Sequence, residues 1–352
     1  MKDLSQTERI KIKLNLAKNT DSFFEVFGAD SHKYRLDAPI DIKKVKIFEK
    51  KYKISLPNGY KIFLTQIGNG GNEDTSSVVG NSGAGPDYGI FKLGHEYHFL
   101  ANPASGYLEK EPYFTSKTTE EDWEIISENM LKDITVDEYN KSLEKVYSGI
   151  FTIGFSGCSG FIGIMLSGED AGRVVHISDE IEYCPQFAKE KKFLDWYENW
   201  LDSIITGQGI GLTIKPDNTE EECFNRYADV ENVHKDETVQ YWKIVALGYI
   251  RNHETLSPEY IEKLHKFYCT ETDKTVKLFI LQLLVKFDYE NTKMELDKLW
   301  KNDALGFLRI LHLYAKEKTL DWQNVIQILQ DKPVSSEVTE YINYVTTNDY
   351  TR

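Results

Sequence analysis

The segment Leu56-Pro57-Asn58-Gly59-Tyr60-Lys61-Ile62-Phe63-Leu64-Thr65-Gln66-Ile67-Gly68-Asn69-Gly70-Gly71 constrains the fold more than any other, because it writes a helix together with both of its ends. Pro57 suits the first helical position, where a missing N–H is no loss. Tyr60, Phe63, Leu64 and Ile67 follow the i, i+3, i+4, i+7 spacing of one buried face. Gly68 is expected to stop the helix in the left-handed cap conformation, and Asn69-Gly70-Gly71 to turn the chain sharply. An amphipathic run, Ile42, Val45, Phe48 and Tyr52, predicts a second helix just before it. Pro57, Tyr60, Gly68, Asn69, Gly70 and Gly71 therefore read as structural residues.

Upstream, a helix is expected around Thr7–Lys18, followed by the aromatic cluster Phe23, Phe24 and Phe27, whose apolar rings should lie on the domain that follows. Downstream, Asn72–Asp87 is rich in Gly, Ser and Asn and predicts a loop, with a short strand at Tyr88–Leu93. Ile150–Ile153, Phe161–Leu166 and Arg173–Ile177 are rich in β-branched and aromatic residues and read as strands, the last two joined by a hairpin at Ser167–Gly172. Phe193, Tyr197, Trp200, Leu201 and Ile204 form a closing helical stripe. Helices, then strands, then a helix give an α+β domain on a mainly antiparallel sheet.

Gly207-Gln208-Gly209-Ile210-Gly211 and Lys215-Pro216-Asp217-Asn218 read as a linker. Beyond it the pattern is helical: Glu220–Val230, Glu237–Arg251, Pro258–Cys269, Asp273–Phe287, Thr292–Trp300, Ala304–Lys316, Asp321–Gln330 and Ser336–Val345. Apolar helices recur there at intervals of roughly 30 to 36 residues, which fits stacked helical hairpins, with an ordinary bundle as the alternative. The expected organisation is an N-terminal helical extension over 1–36, the α+β domain over 37–205, a linker over 206–218 and an all-α domain of helical hairpins over 219–352.

The formal net charge of −14 disfavours nucleic acid and favours a basic partner. Between Glu109 and Lys145 there are eleven Asp/Glu and five Lys/Arg, interspersed with Trp123, Ile125, Ile126, Met130, Leu131, Tyr139 and Leu143, which suggests short amphipathic helices with an acidic outer face. Glu120, Glu121, Asp122 and Glu124 could meet cations on a partner, with Trp123 as an aromatic anchor. The plainer reading of acids there, and of Glu220-Glu221-Glu222, is that a helix's first turn attracts carboxylates. Asp87 and Tyr88, beside the glycine-rich loop, are further candidate contacts. The N-terminus lacks the apolar core of a signal peptide, no segment suggests a membrane span, and four well-separated cysteines suggest reduced thiols; a cytoplasmic location is expected.

Segments that suggest chemistry fall short of their motifs. Around Ser156 and Ser159 neither register gives Gly-x-Ser-x-Gly, so Gly154, Gly157 and Gly160 read as strand-entry or bulge glycines. Cys158 would need a base such as His176 within reach. His95-Glu96-Tyr97-His98 lacks the spacing of a zinc helix. Residues Gly80–Gly89 lack the ending of a phosphate-binding loop and read as a flexible surface loop. No catalytic residue, metal or cofactor is expected.

The Leu56–Gly71 block, the amphipathic run before it, Gly157-Cys158-Ser159-Gly160 ahead of a strand, the glycine-containing hairpin and the late helix Phe193–Leu201 together resemble the SMI1/KNR4 family, of the SUKH superfamily, over about Asp37–Ile205. The acidic stretch Glu109–Lys145 is longer than a minimal domain of that family needs. The resemblance implies a binding protein without a catalytic centre. Its bacterial members are widely immunity proteins that block a cognate toxin, often a nuclease, whereas the eukaryotic namesake branch supplies regulatory scaffolds. The expected function is therefore an immunity protein occluding a basic protein toxin through an acidic surface, with no nucleic acid, membrane or small-molecule partner. The alternative is a regulatory scaffold binding cellular proteins through its helical half.

Overall fold

The computed structural model describes residues 4–71, 82–130, 135–181, 183–207, 209–210, 219–233, 239–331 and 335–347. Leu131, most of the loop expected at Asn72–Asp87, Gln208 and 211–218 of the expected linker, and Glu237 at the expected helix start lie outside them. The chain divides into two compact units. One comprises Met1–Lys18 with Phe27–Ser203, the other Asn19–Val26 with Ile204–Arg352.

The first unit is α+β. Six strands, β1 (Ser82–Gly83), β2 (Ile90–Phe91), β3 (Ile150–Gly157), β4 (Gly160–Met165), β5 (Val174–Ser178) and β6 (Gln186–Phe187), form an antiparallel meander in sequential order. All of β4 and most of β3 and β5 are buried, as strands covered on both faces must be. Register shifts between Thr152 and Gly154 and between Phe155 and Gly157 mark bulges in β3. A Cβ at Gly154 would stand 2.4 Å from the Gly89 carbonyl oxygen, so β2 can approach only a glycine there.

The helices of this unit are α1 (Gln6–Thr20), α2 (Ala29–His32), α3 (Ile42–Tyr52), α4 (Asn58–Ile62), α5 (Glu120–Met130), α6 (Val136–Val146) and α7 (Phe193–Ile205), the last residues of α1 and α7 falling to the second unit. Tyr60, Phe63, Leu64 and Ile67 are buried as the spacing requires, and Phe63 packs edge-on to Phe193 and Tyr197. The ends of this helix differ from expectation. Pro57 is the extended residue before the helix rather than its first turn. The last turn, Phe63–Ile67, is a π-turn, closed by the Gly68 N–H donating to the Phe63 carbonyl, so Gly68 leaves in an extended conformation and not in a left-handed cap. Gly68 is needed for space instead, because a Cβ there would lie 2.6 Å from Leu36 Cβ. The left-handed glycine is Gly70, at φ +62°, where a Cβ would come within 2.3 Å of the Phe91 carbonyl group. Asn69 completes the joint: its N–H donates to the Asp37 carbonyl and its side-chain oxygen accepts the Leu93 N–H.

A charged cluster holds α1 to α7. Arg9 makes a two-pronged contact with Glu198, both arms at 2.9 Å, while Lys13, only 5% exposed, bonds Glu198 at 2.9 Å and Asp202 at 2.7 Å. Burial acts to raise the Glu198 pKa, but the hydrogen bonds from Arg9 and Lys13 outweigh it and hold the carboxyl below its usual range.

The second unit is all-α: α8 (Glu220–Val233), α9 (Val239–Gly248), α10 (Pro258–Thr270), α11 (Lys274–Phe287), α12 (Tyr289–Asn302), α13 (Ala304–Tyr314), α14 (Gln323–Asp331) and α15 (Ser336–Thr347). Consecutive helices pair as hairpins, α8 with α9 through α14 with α15. The second helices also touch one another in the order α9, α11, α13, α15. That is the contact pattern of stacked helical hairpins. It explains why α11 and α13 are buried nearly all round while α10 and α12 keep polar faces. Phe23 corrects an expectation: it packs edge-on to Phe279 at 5.3 Å under the Arg309 guanidinium, in the helical unit, while Phe27 stays in the first.

Two outcomes test this account. Gly70→Ala should destabilise the protein by at least ~2 kcal/mol in urea unfolding, through a left-handed backbone and a clash with β2. Glu198→Ala, which leaves Lys13 buried with Asp202 alone, should cost about 3 kcal/mol. Because the folded Glu198 pKa is lowered, its contribution is complete above the ordinary glutamate value of 4.5 and is lost as the pH falls below it, so the gap between wild type and variant should narrow in acid.

Candidate protein-binding surface

Helix α5 begins at a reciprocal cap. The Thr119 N–H and hydroxyl donate to Asp122 Oδ2 at 3.1 and 3.0 Å, and the Asp122 N–H donates back to the Thr119 hydroxyl at 3.2 Å. These bonds, the backbone one first, lower the Asp122 pKa and keep it ionised. Glu120, Glu121 and Asp122 thus occupy the first turn, where the macrodipole favours them. Glu124 and Glu128 lie beyond that turn, are exposed, and share the helix with no cation at all.

Trp123 is not the surface anchor that its sequence neighbours suggested. It is 4% exposed and packs edge-on to Phe114 at 5.5 Å, on the inward face with Met130 one heptad on. A residue two positions along a helix points about 200° away, so burying Trp123 turns Ile125 outward. Ile125 is 61% exposed amid the carboxylates, and it is the apolar contact that attention to the tryptophan passed over.

Asp87 and Tyr88 lie between β1 and β2. Asp87 takes φ +54°, and Gly28 lies against it so closely that a Cβ there would stand 1.9 Å from the Asp87 carbonyl oxygen. The Tyr88 N–H donates to the Phe155 carbonyl at 3.1 Å, and its ring lies between Phe27 at 5.1 Å and Phe155 at 5.7 Å. Phe27 is 60% exposed, so three rings from distant parts of the chain make a partly open aromatic patch beside a carboxylate. Burial pushes the Asp87 pKa up to about 6, and among the described residues no cation pairs with it.

The expected flexible loop at Gly80–Gly89 is corrected in its described part. Ser82 to Gly85 are buried, β1 pairs with β2, and the Ala84 carbonyl accepts the Tyr197 hydroxyl at 2.8 Å. Gly80 and Asn81 lie outside the described residues. Cys158, exposed, and Ser159, half-buried, form the turn from β3 to β4, and His176 sits on β5 opposite Ile162 and Gln186, with no hydrogen bond to Cys158. His98 is buried with its ring nitrogens against the Thr152 and Lys92 carbonyls at 2.6 and 3.1 Å, and burial lowers its pKa to about 4; His95 caps the following turn. Among the described residues no three His, Cys, Asp or Glu side chains converge as metal ligands would, and no helix is long and apolar enough to cross a membrane.

Residues 39–199 match the model of the SMI1 / KNR4 family (SUKH-1). The first unit therefore carries an SMI1/KNR4 domain. No curated protein and no solved structure matches the chain. The SMI1/KNR4 span runs from just before α3 into α7, so it contains the sheet, the Asn69–Gly70 joint, Asp87, Tyr88 and all of α5, while the stacked hairpins lie outside it. The family includes immunity proteins.

The Asp87 carboxyl gives a pH prediction. Below the ordinary aspartate value of 3.8 it is protonated folded or unfolded and has no effect; above about 6 its ionised form bears the full cost of burial. Asp87→Asn, which removes that charge and tolerates a left-handed backbone, should stabilise the protein at pH 7 by on the order of 1 kcal/mol after solvent screening, and give no gain at pH 3.5. Urea unfolding at the two pH values checks it.

Proposed function

We propose that this protein is an immunity-type inhibitor that binds a basic protein toxin and blocks it by occlusion. The observation that carries the reading is α5: Glu120, Glu121, Asp122, Glu124 and Glu128 on one helix without a single Lys or Arg, around the exposed Ile125, within the SMI1/KNR4 domain. A toxin that acts on nucleic acid presents cations to polyphosphate, and such a face repels phosphate while attracting those cations. Carboxylates at the rim speed encounter and set register, and an apolar side chain at their centre contributes affinity once water is excluded. Asp87 supports the same chemistry, because a cation from the partner relieves a charge that the free protein holds at a cost. Occlusion requires no catalytic residue or cofactor, and the chain's charge of −14 opposes a nucleic-acid partner.

A specific observation favours a second reading, a regulatory scaffold acting through the helical unit. A groove of about 250 Å³ lies between α8 and α9, lined by Val230, Val233, Trp242, Val245 and Tyr249 together with Arg226 and Asp229, and Val233 is largely exposed. The two readings place the contact in different units and differ in salt dependence.

The test is capture with the full-length protein from lysate of its own organism, at low and high salt, followed by binding kinetics on the partner recovered. Occlusion predicts a basic toxin domain whose binding weakens as salt rises. A Glu121→Lys/Glu124→Lys/Glu128→Lys variant should lose at least tenfold in affinity, mostly in association rate. Equal binding by that variant, together with loss in Trp242→Ala, would reject occlusion and support the scaffold.

A further inference from the structure

Helix α3 contradicts the charge of the chain that carries it. In a protein of net charge −14 it bears lysine at 43, 44, 46, 50 and 51, with Lys53 at its C-cap, and all six are exposed. The single carboxylate of the helix, Glu49, accepts the Leu56 N–H and the Lys61 ammonium; the capping Asp41 accepts the Lys43 N–H; and among the described residues none of the six is in an ion pair.

The helix dipole suits Lys50, Lys51 and Lys53 at its C-terminal end, but local physics disfavours the lysines at its start. Lys43 and Lys44 sit at the positive end of the helix dipole, in a first turn without an acid, and Lys46 and Lys50 stand four residues apart where like charges repel. A helix that served only to cover the core would gain from acids at its start. A local rule broken without a structural return points to a use for the surface.

The second observation is the cleft beside the helix, about 700 Å³ in volume. Ile40, Ile47, Phe48 and Leu93 line it together with Lys44 and Lys51, and the one carboxylate of the lining, Asp37, is paired with Lys92 at 3.2 Å. Ile47 is 68% exposed, an apolar side chain held among ammonium groups. We propose that the α3 face and this cleft dock an acidic peptide segment of a second protein partner, with an apolar side chain of that segment against Ile47 and its carboxylates on Lys44 and Lys51.

The occupant follows from charge and shape. The basic face is one helix about 16 Å long on an otherwise acidic chain, so a nucleic acid or an anionic membrane, which extends well beyond it, meets repulsion outside it. The one aromatic side chain lining the cleft, Phe48, is only 8% exposed and gives bases little ring face to stack on. A short acidic segment meets only the favourable field, and an apolar anchor fits the cleft. The surface is opposite in sign to α5 and separate from it, so this inference does not rest on the immunity reading.

The experiment selects phage-displayed random 16-residue peptides on the full-length protein. Binding of a labelled selected peptide is then measured to wild type, Lys44→Glu/Lys51→Glu, Ile47→Asp and Glu121→Lys/Glu124→Lys, with melting curves to confirm folding. The expected result is enrichment of peptides with Asp or Glu flanking an apolar residue. Binding should weaken at least tenfold in each α3 variant and survive the α5 change. Failure to enrich, enrichment without acidic bias, or equal binding by both α3 variants overturns the proposal. Tighter wild-type binding of a DNA duplex or of phosphatidylserine vesicles at the same salt also overturns it, in favour of that ligand.

Discussion

The joint at Asn69 and Gly70 is the constraint on which the SMI1/KNR4 domain depends. There the end of α4, the strand β2 and the chain at Asp37 come together at separations that exclude any side chain at Gly70. The Asp37 and Asn69 amides and the Gly70 and Asp37 carbonyls bond one another reciprocally, at 2.9 and 3.0 Å, and the Asn69 side chain reaches Leu93. A π-turn leads into this joint. It widens the end of α4 by one residue, so that Gly68 leaves extended and the next residues reach the sheet. Once β2 is placed, β3 follows through Gly154, and the meander continues to β6. Everything offered to solvent, from α3 to the Tyr88 patch, stands on that frame.

On this frame charge is sorted rather than mixed. Helix α5 shows carboxylates and α3 shows lysines, and both lie within residues 39–199. A surface tuned only for solubility would intersperse the two signs and so gain i, i+3 and i, i+4 pairs along each helix. The helical unit does this: Glu259 with Lys263, Lys293 with Glu290, Lys298 with Glu295 and Lys301 with Asp297. The contrast locates the surfaces that forgo internal pairing, and these are the ones free to pair with something else.

What the sequence discloses follows the range of the interaction concerned. The burial stripe of α4 and the helices from α8 to α15 arise from local periodicity and were legible. So were the strands β3 to β5, with a correct antiparallel order. The exit of α4 was not, because choosing a π-turn over a left-handed cap depends on Leu36 and Phe91, far away in the chain. Ser82–Gly85 has the composition of a loop but is buried as an edge strand, since Gly83 and Gly85 are small to admit neighbouring backbone and side chains, not to bend. Trp123 shows a different limit. Its acidic neighbours suggested a surface, yet on a helix the neighbours of an inward residue point outward, and the exposed apolar contact was Ile125. The Phe27–Tyr88–Phe155 patch has no local signature, because its rings come from three separated segments.

Buried charge settles where the first residues of the chain go. In the first unit Arg9 and Lys13 meet Glu198 and Asp202; in the helical unit Glu25 meets the Arg251 guanidinium, which also bonds the Tyr314 hydroxyl. Burial pushes the Glu25 pKa up, while Arg251 pulls it the other way. Pairs of this kind add little net stability over apolar residues of the same volume, because desolvation offsets most of the attraction. Their effect is on choice. A segment docked on an apolar face alone could slide by a turn at small cost, whereas in the first unit one that must place Lys13 on Glu198 cannot, and in the helical unit the same holds for Glu25 on Arg251, since a shift leaves buried ions unpaired. Phe23, in the helical unit, packs on Phe279, and Phe27, in the first unit, joins the open patch with Tyr88. In each unit a buried ion pair, weak as a source of stability, thus fixes the register of the segment that carries it.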